Sequence, residues 1–143
     1  VINRIFHGYG KFEGEMDGRK NGALISMANG KAVAFAIFNL QARGEMFVTH
    51  NDPVYEGMIV GLAPKPGDMI INVMKGKQLT NMRTQGTDEN VVLTPVRQMS
   101  IAEQLSMLNT DEALEITPKS LRLRKAILNP TDRKKNEKSG TPL

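Results

Sequence analysis

Short runs of β-favouring residues follow one another at close spacing through the middle of this 143-residue chain. Turn sequences rich in Pro, Gly, Asn and Asp separate them at residues 50–53 and 64–68, so each run has room for only one short strand. The four clearest runs cover residues 45–49, 54–62, 69–73 and 91–94. Many short strands at this spacing predict a small antiparallel β-barrel or sandwich.

The strongest local signal is Asn29-Gly30, which lies between two further β-rich runs at 23–28 and 32–40. Both residues tolerate the positive φ that a two-residue hairpin turn requires, so the sequence predicts a β-hairpin here. The second arm is apolar almost throughout and is predicted to be a central strand covered on both faces. A helix is possible for such a run, but its β-branched and aromatic residues beside the turn favour a strand.

One helix interrupts the strands. Ser100 and Glu103 form a capping-box pattern, and Ile101, Leu105 and Leu108 are spaced to lie on one apolar face. After the helix, Leu114 and Ile116 begin another strand. The expected fold is therefore α+β and mostly β, with about six to eight strands, one amphipathic helix and a long basic loop.

The sequence pattern divides the chain into three parts. Residues 1–9 alternate imperfectly, like the last strand of a preceding domain, so 1–12 are assigned to such a domain and 13–130 to a β-rich domain. Between residue 130 and the terminal Leu143 no apolar residue recurs, so 131–143 are predicted to be a disordered basic tail, with a short helix over 132–138 as the alternative. The chain begins with Val1 rather than Met, and we expect it to be a piece of a longer protein.

The positive charge of the chain is concentrated near its end. The net charge is +4, and residues 119–138 alone carry eight basic residues against two acidic ones, or +6. A basic end on a nearly neutral body indicates a polyanionic partner such as a nucleic acid. The alternative is a solvated basic tail that only aids solubility.

Several classes of site have no support in the sequence. There is no cysteine, which excludes disulfides and thiolate metal sites, and no apolar run approaches the roughly 20 residues of a membrane helix. His7 and His50 stand alone without metal-ligand spacing, and no glycine motif for phosphate binding is present. We therefore expect no catalytic residue, metal or cofactor in this chain, and a cytoplasmic monomer with no membrane partner.

Residues 74–90 are unusual because they connect two predicted strands without a helix or strand period. Lys75, Lys77 and Arg83 offer cations for phosphates, while neighbouring amides and hydroxyls suit base edges and 2′-hydroxyls. A long basic loop of this kind is typical of an RNA contact. The alternative is a surface loop with no partner.

Residues 121–124 alternate leucine with arginine, which predicts a strand with the leucines on the core and Arg122 and Arg124 on the opposite face. Two arginines at this spacing lie about 7 Å apart, close to the spacing of successive phosphates. Lys119 and Lys125 are assigned to the same surface; the alternative is an exposed face paired with nearby carboxylates. No aromatic residue lies in this strand or in the loop, so recognition of the RNA backbone is favoured over base stacking.

Five segments together resemble one family. They are, in chain order, GRKNGALIS, GKAVAFAIFNLQARG, VYEGMIVG, GKQLTNMRTQGTDENVVL and EITPKSLRLRK. Their order and spacing are similar to those of the C-terminal half of the BipA/TypA translational GTPases, over about residues 3–135. The resemblance implies that 1–12 end a domain like domain V of elongation factor G and that 13–130 form the family-specific C-terminal domain.

The resemblance also implies a function and a set of contacts. The parent protein is expected to be a GTPase, with GTP and Mg²⁺ held by an upstream domain, that acts in large-subunit assembly, translation and stress adaptation. The implied partners are the ribosome, through large-subunit rRNA near the A-loop, and the acceptor end of A-site tRNA. The implied contact residues are Lys75, Lys77, Leu79, Thr80, Asn81, Met82, Arg83, Gly86, Thr87 and Asp88 in the loop and Lys119, Arg122, Arg124 and Lys125 in the strand.

Two other classes of function stay open at the level of sequence. The first is a protein–protein interaction module that docks a partner through residues 32–40 or the helix at 100–108. The second is a small β-barrel enzyme that uses carboxylates such as Glu13, Glu15 or Asp88.

Overall fold

A four-stranded sheet forms the middle layer of the protein. The computed structural model describes residues 3–14, 19–76 and 92–140. The strands in these ranges are β1 (Ala23–Ser26), β2 (Gly30–Lys31), β3 (Glu45–Met46), β4 (Pro53–Val54), β5 (Ile59–Leu62), β6 (Met69–Ile71), β7 (Glu112–Ile116) and β8 (Leu121–Lys125). The helices there are α1 (Ala34–Gln41), α2 (Ile101–Ser106) and α3 (Pro130–Ser139). The fold is α+β with a majority of strands, as predicted.

The middle sheet has the strand order β3-β5-β1-β6 and is mixed rather than antiparallel. Strand β1 runs antiparallel to β5 and parallel to β6. All four residues of β1 are buried, with Leu24 in the core on one face and Ile25 in the core on the other. Val60 and Ile59 of β5 divide between the two faces in the same way. Burial on both faces explains why these strands are continuously apolar in the sequence.

Helix α1 lies where the sequence had predicted a central strand. The prediction of a strand over residues 32–40 is wrong, since Ala34–Gln41 are helical. Ile37 is completely buried in the cluster that also contains Leu24 and Val60. An almost wholly apolar run has no period that separates helix from strand, so tertiary packing decides. The central positions of the sheet belong to β1 and β5, and the run supplies core packing on one face instead.

The predicted hairpin at Asn29-Gly30 is also wrong. Strand β2 pairs with β4 in a separate two-stranded ladder, and the hydrogen-bonding edges of β1 are taken by β5 and β6. Gly30 has a φ of 155°, but Asn29 has no positive φ, so the turn is not the predicted primed type. The Asn29 side chain instead accepts a hydrogen bond from the Glu56 backbone N–H at 2.9 Å.

A turn divides the predicted strand 54–62 into β4 and β5. Gly57 in this turn has a φ of 86°, and a Cβ there would lie 2.7 Å from Cα of Leu128. Its N–H donates to Ser26 O, and its carbonyl accepts from Lys125 N–H at 2.9 Å. The turn therefore connects three parts of the chain, and only glycine fits it.

The other predicted strands have mixed outcomes. The strands predicted at 45–49 and 69–73 are present as the shorter β3 and β6. The strands predicted at 114–116 and 121–124 form the β7–β8 hairpin, which pairs from Glu112↔Lys125 to Ile116↔Leu121. No strand forms over the described residues 92–94 of the run predicted at 91–94.

The β7–β8 hairpin covers the second face of the middle sheet. Leu123 is buried against Ile25 and Ile59, and Met99 and Leu114 pack on the same cluster. The molecule thus has two apolar cores, one on each side of the middle sheet. Met99, Leu108, Leu114 and Leu123 on the second side come from the last third of the chain.

Helix α2 begins with the predicted capping box. Ser100 Oγ accepts a hydrogen bond from the Glu103 N–H, and the Glu103 carboxylate accepts one from the Ser100 N–H. The predicted apolar face is confirmed only for Leu108, which packs on the second core, because Ile101 and Leu105 are 45% and 54% exposed while Gln104 is buried. The capping signal is local and therefore readable, whereas the buried face depends on where the helix packs.

The sheets of the described residues do not close into a barrel. They form one mixed sheet and two two-stranded ladders, β2–β4 and β7–β8, so the predicted antiparallel barrel is not confirmed. The predicted disordered tail is wrong where the structure describes it, since residues 130–139 form α3. The Asn129 side chain caps its first turn, and Gly140 ends it in the left-handed conformation. The alternative prediction of a helix over 132–138 lies inside these bounds.

Residues 3–14 contain no strand, and Ile5, Phe6 and Tyr9 are largely exposed. A strand needs a hydrogen-bonding neighbour, which the described residues do not provide for this segment. The assignment of 1–12 to the end of a preceding domain stays a prediction, as do the other domain boundaries.

A buried ion network fastens β8 to the rest of the fold. Lys125 is 1% exposed, and its Nζ lies 2.5 Å from Asp68 Oδ2, 2.7 Å from Asp111 Oδ2 and 3.1 Å from Glu112 Oε1. Arg19 makes two hydrogen bonds to the Glu112 carboxylate, at 2.8 and 3.1 Å. The prediction that Lys125 belongs to an exposed RNA-binding face is therefore wrong.

The alternation of β8 explains this result. Lys125 shares the side of the strand that carries Leu123, which is the buried side, and not the side of Arg122 and Arg124. A buried ammonium group requires carboxylate partners, and two separate segments supply three of them. The cation count of the last third of the chain thus overstates the charge available to a ligand.

The network holds Lys125 and Asp68 in their charged forms. Burial alone acts to lower the pKa of Lys125, but its hydrogen bonds to the Asp111 and Asp68 carboxylates and the charge of Glu112 raise it above its usual value. Burial acts to raise the pKa of Asp68, yet the Ala23 N–H and the Lys125 ammonium lower it below its usual value. Both groups therefore stabilise the fold at neutral pH.

Replacement of Ile37 by Ala is expected to lower the free energy of unfolding by about 2–5 kcal/mol, because it leaves a cavity in a closed core. The matched change Phe38→Ala is expected to cost less than about half as much, since Phe38 is 49% exposed. Urea denaturation of both variants measures the difference. Equal costs would instead fit the strand covered on both faces that the sequence suggested.

Replacement of Lys125 by Met is expected to destabilise the chain by about 3 kcal/mol at pH 7, because the buried Glu112 carboxylate loses one of its two cations and Asp68 and Asp111 lose theirs. The control Lys135→Met, at a side chain 76% exposed, should have little effect. The contribution of Asp68 is present above its unfolded pKa and lost as pH falls through its lowered folded pKa. The difference between wild type and Lys125→Met should therefore shrink in acid, and a pH-independent difference in denaturation midpoint would contradict this account.

Candidate nucleic-acid interface

The four predicted cations of the β8 region differ in how accessible they are to a ligand. Lys119 is exposed at the turn of the β7–β8 hairpin, and Arg122 is half-buried beside it. Arg124 donates hydrogen bonds to the carbonyls of Lys125 and Ala126, at 3.1 and 3.4 Å. Since Lys125 is buried, Lys119 and Arg122 remain as the cations of this group most available to a ligand.

The long loop falls largely outside the described residues. Lys75 is described and exposed, next to Gly76. The other predicted loop contacts, Lys77, Leu79, Thr80, Asn81, Met82, Arg83, Gly86, Thr87 and Asp88, lie in the range 77–91, which the structure does not describe. Their roles stay predictions.

Tertiary structure brings Lys119 and Arg122 to the edge of a groove of about 460 Å³. We call it the β8 groove. Its charged lining residues are Arg97, Lys119 and Arg122, and its lining also includes Phe47, Val48, Met58, Ile59, Gln98, Met99, Gln104, Ser120, Leu121 and Leu123. Among the described residues, every charged one that lines the groove is a cation.

Local sequence pattern did not predict this groove, because its walls come from distant segments. Phe47 follows β3, Met58 precedes β5, and Met99 precedes α2, while residues 119–123 form the edge of β8. Arg97 was not identified as a contact residue, because it stands alone in a stretch without a regular period. Only the packing of β7–β8 on the middle sheet brings it next to Arg122.

The ion pairs of the groove cations are loose. Arg97 lies 3.5 Å from Glu45 and 3.7 Å from Glu103, and Arg122 lies 3.9 Å from Glu115. Exposed pairs at such distances contribute about 0–1 kcal/mol, so a phosphate can replace the carboxylates at little cost. Lys119 has no ion-pair partner in the part of the chain that the structure describes.

Glu115 has a second partner that keeps it outside the groove. Tyr55 Oη donates a hydrogen bond to its carboxylate at 2.6 Å. Burial, this hydrogen bond and the charge of Glu115 together raise the pKa of Tyr55 to about 12. Tyr55 therefore stays neutral at neutral pH and keeps donating to Glu115, so Glu115 can release Arg122 without losing every partner.

A second groove, of about 520 Å³, lies beside Lys75. Its polar lining includes Arg43 and the amides of Asn39 and Asn72, and Phe35 contributes an aromatic wall. Cations and amides of this kind suit phosphates and base edges. The groove adjoins the point where the predicted RNA-binding loop begins.

Other classes of site find no support in the described residues. Among them, no group of three or more His, Asp or Glu side chains is arranged to hold a metal ion. His7 and His50 are exposed and lie in unrelated parts of the chain. The described helices include none of the length and apolarity that a membrane crossing requires.

Comparison with known proteins gives a consistent result. The family model of the TypA/BipA C-terminal domain matches residues 21–130. A protein named large ribosomal subunit assembly factor BipA, from Buchnera aphidicola subsp. Schizaphis graminum, is 48% identical over 139 residues, which is 96% of this chain and 23% of that protein. The proteins of the same name from Salmonella typhimurium and Escherichia coli K12 are each 48% identical over 122 residues, or 85% of this chain and 20% of theirs.

The chain thus spans about a fifth to a quarter of the length of these relatives. The family match covers β1 to β8 and both grooves, and it ends where α3 begins. By this match the chain belongs to the TypA/BipA C-terminal domain family.

Proposed function

We propose that this domain binds ribosomal RNA and thereby fixes its parent protein on the large ribosomal subunit during assembly. The observation that carries the proposal is the β8 groove, where three cations from two segments converge and no carboxylate lines the walls. Cations so placed neutralise phosphates, which supply most of the affinity in nucleic-acid complexes. The name of the relatives, large ribosomal subunit assembly factor, agrees with an RNA-rich partner.

The remainder of the proposal concerns the whole protein. We propose that an upstream domain binds GTP and Mg²⁺ and hydrolyses the nucleotide, while this domain contributes binding only. The 74–90 loop is proposed to contact rRNA near the A-loop and the acceptor end of A-site tRNA, with the β8 groove on a neighbouring stretch of RNA. Such a protein would act in the cytoplasm, in translation and stress adaptation.

The double change Lys119→Ala and Arg122→Ala is expected to reduce the salt dependence of ribosome binding by about two units of slope in a plot of log K against log salt. Cosedimentation with large subunits over a range of KCl concentrations measures the slope. The matched control is Lys31→Ala with Lys65→Ala, which removes two exposed cations outside both grooves. A variant slope equal to the wild-type slope would show that neither residue touches a phosphate.

The double change Lys77→Ala and Arg83→Ala is expected to weaken ribosome association by removing two loop cations from RNA phosphates. The circular dichroism spectrum is expected to stay the same. Unaltered cosedimentation would remove the loop from the proposed interface and leave the β8 groove as the candidate.

A further inference from the structure

The β8 groove has an aromatic and sulfur-containing floor beneath its cations. We propose that it receives one unstacked nucleotide of the bound RNA, with the base against Phe47 and Met99 and a flanking phosphate on Lys119 and Arg122. This inference rests on the proposed function and adds a base-binding site to it. The sequence favoured backbone recognition because no aromatic lies in the basic segments, but the fold brings Phe47 to them from another part of the chain.

The size of the groove fits one nucleotide. Its volume of about 460 Å³ lies within the ~300–1,000 Å³ range of small-molecule sites. Phe47 is half-buried and packs on the cluster of Ala23, Ile25 and Ile59, so its ring is held in place while part of it faces the groove. Any base can stack on an aromatic ring, and the thioether of Met99 adapts to its outline.

The edge of β8 supplies hydrogen-bonding groups for the base. On one side β8 pairs with β7, and on the other side the Lys125 N–H bonds to Gly57 O at 2.9 Å. Backbone groups of an antiparallel strand alternate between its two sides, so the N–H and C=O of Leu121 and the N–H of Leu123 also point away from β7, while the Leu123 C=O belongs to the bridge between Arg124 and Met58. Both residues line the groove, which places these groups within its walls.

An RNA nucleotide fits this edge better than an acidic peptide does. A peptide that adds a strand needs a longer run of open backbone. Here Arg124 already forms a bridge with Met58, and Ser120 closes the hairpin turn through hydrogen bonds with Thr117. The open stretch covers only Leu121 to Leu123, which suits the edge of a single base.

The first test uses an added tryptophan as a reporter. The chain contains no tryptophan, so Phe47→Trp gives fluorescence from the groove alone. A hexaribonucleotide with all four bases should quench this fluorescence, because a base stacks on the indole. The matched control is Phe38→Trp on the exposed side of α1, which should bind the same RNA with unchanged affinity and show no quenching.

The second test uses the unchanged chain and does not depend on the folding of a variant. An abasic hexamer with the same number of phosphates is compared with the hexaribonucleotide by anisotropy of a 5′ label. The abasic RNA is expected to bind roughly tenfold more weakly, as is typical when one stacked base is lost. Equal affinity for the two RNAs, together with an unquenched Trp at position 47, would overturn the base-binding site.

The outcomes separate this inference from the proposed function. Cosedimentation with ribosomal particles combined with base-independent RNA binding, or with no hexamer binding, would overturn the inference alone. Failure to bind either hexamer or ribosomal particles at low salt would remove both. Stronger quenching of Trp at position 47 by hexaglutamate than by RNA would assign the groove to an acidic peptide.

Discussion

A single buried ammonium group, that of Lys125, joins the β7–β8 hairpin to the middle sheet. Lys125 ends the last strand of the β7–β8 hairpin, and its partners come from the start of β6 and from the start of β7. Arg19, which precedes β1, binds the same Glu112 carboxylate. Because removal of one partner would leave buried charge uncompensated, the hairpin has a defined position on the middle sheet. The β8 groove exists only because of that position.

The same network shows that the positive charge of residues 119–138 is not all available to a ligand. Eight cations lie between residues 119 and 138. For those on β8, the side of the strand on which each one lies decides whether it can reach a ligand. Lys125 serves the fold, Arg124 bonds its own strand's carbonyls, and Lys119 and Arg122 face the groove. Charge counted along a sequence therefore indicates a class of partner, while charge counted on a surface indicates where that partner binds.

Membership of the TypA/BipA C-terminal domain family places this chain in a group whose named relatives assemble the large ribosomal subunit. The described grooves suit that setting, because ribosomal RNA offers both a dense array of phosphates and bases that leave the helical stack. In the β8 groove, the cations Lys119 and Arg122 and the aromatic ring of Phe47 line the same cavity. Recognition of phosphate and of base can then occur in one place.

The sequence by itself determined the features that depend on neighbouring residues. The capping box at Ser100, the strands at 114–116 and 121–124, the α+β class and the family resemblance were all predicted correctly, since each is a local pattern or a sum of local patterns. Only the tertiary structure decided that residues 34–41 are a helix, that Lys125 is buried and that Phe47 and Arg97 meet Arg122. The physical reason is that an apolar run or a cation has no preferred partner of its own. Which surface it meets is set by segments far away in the chain.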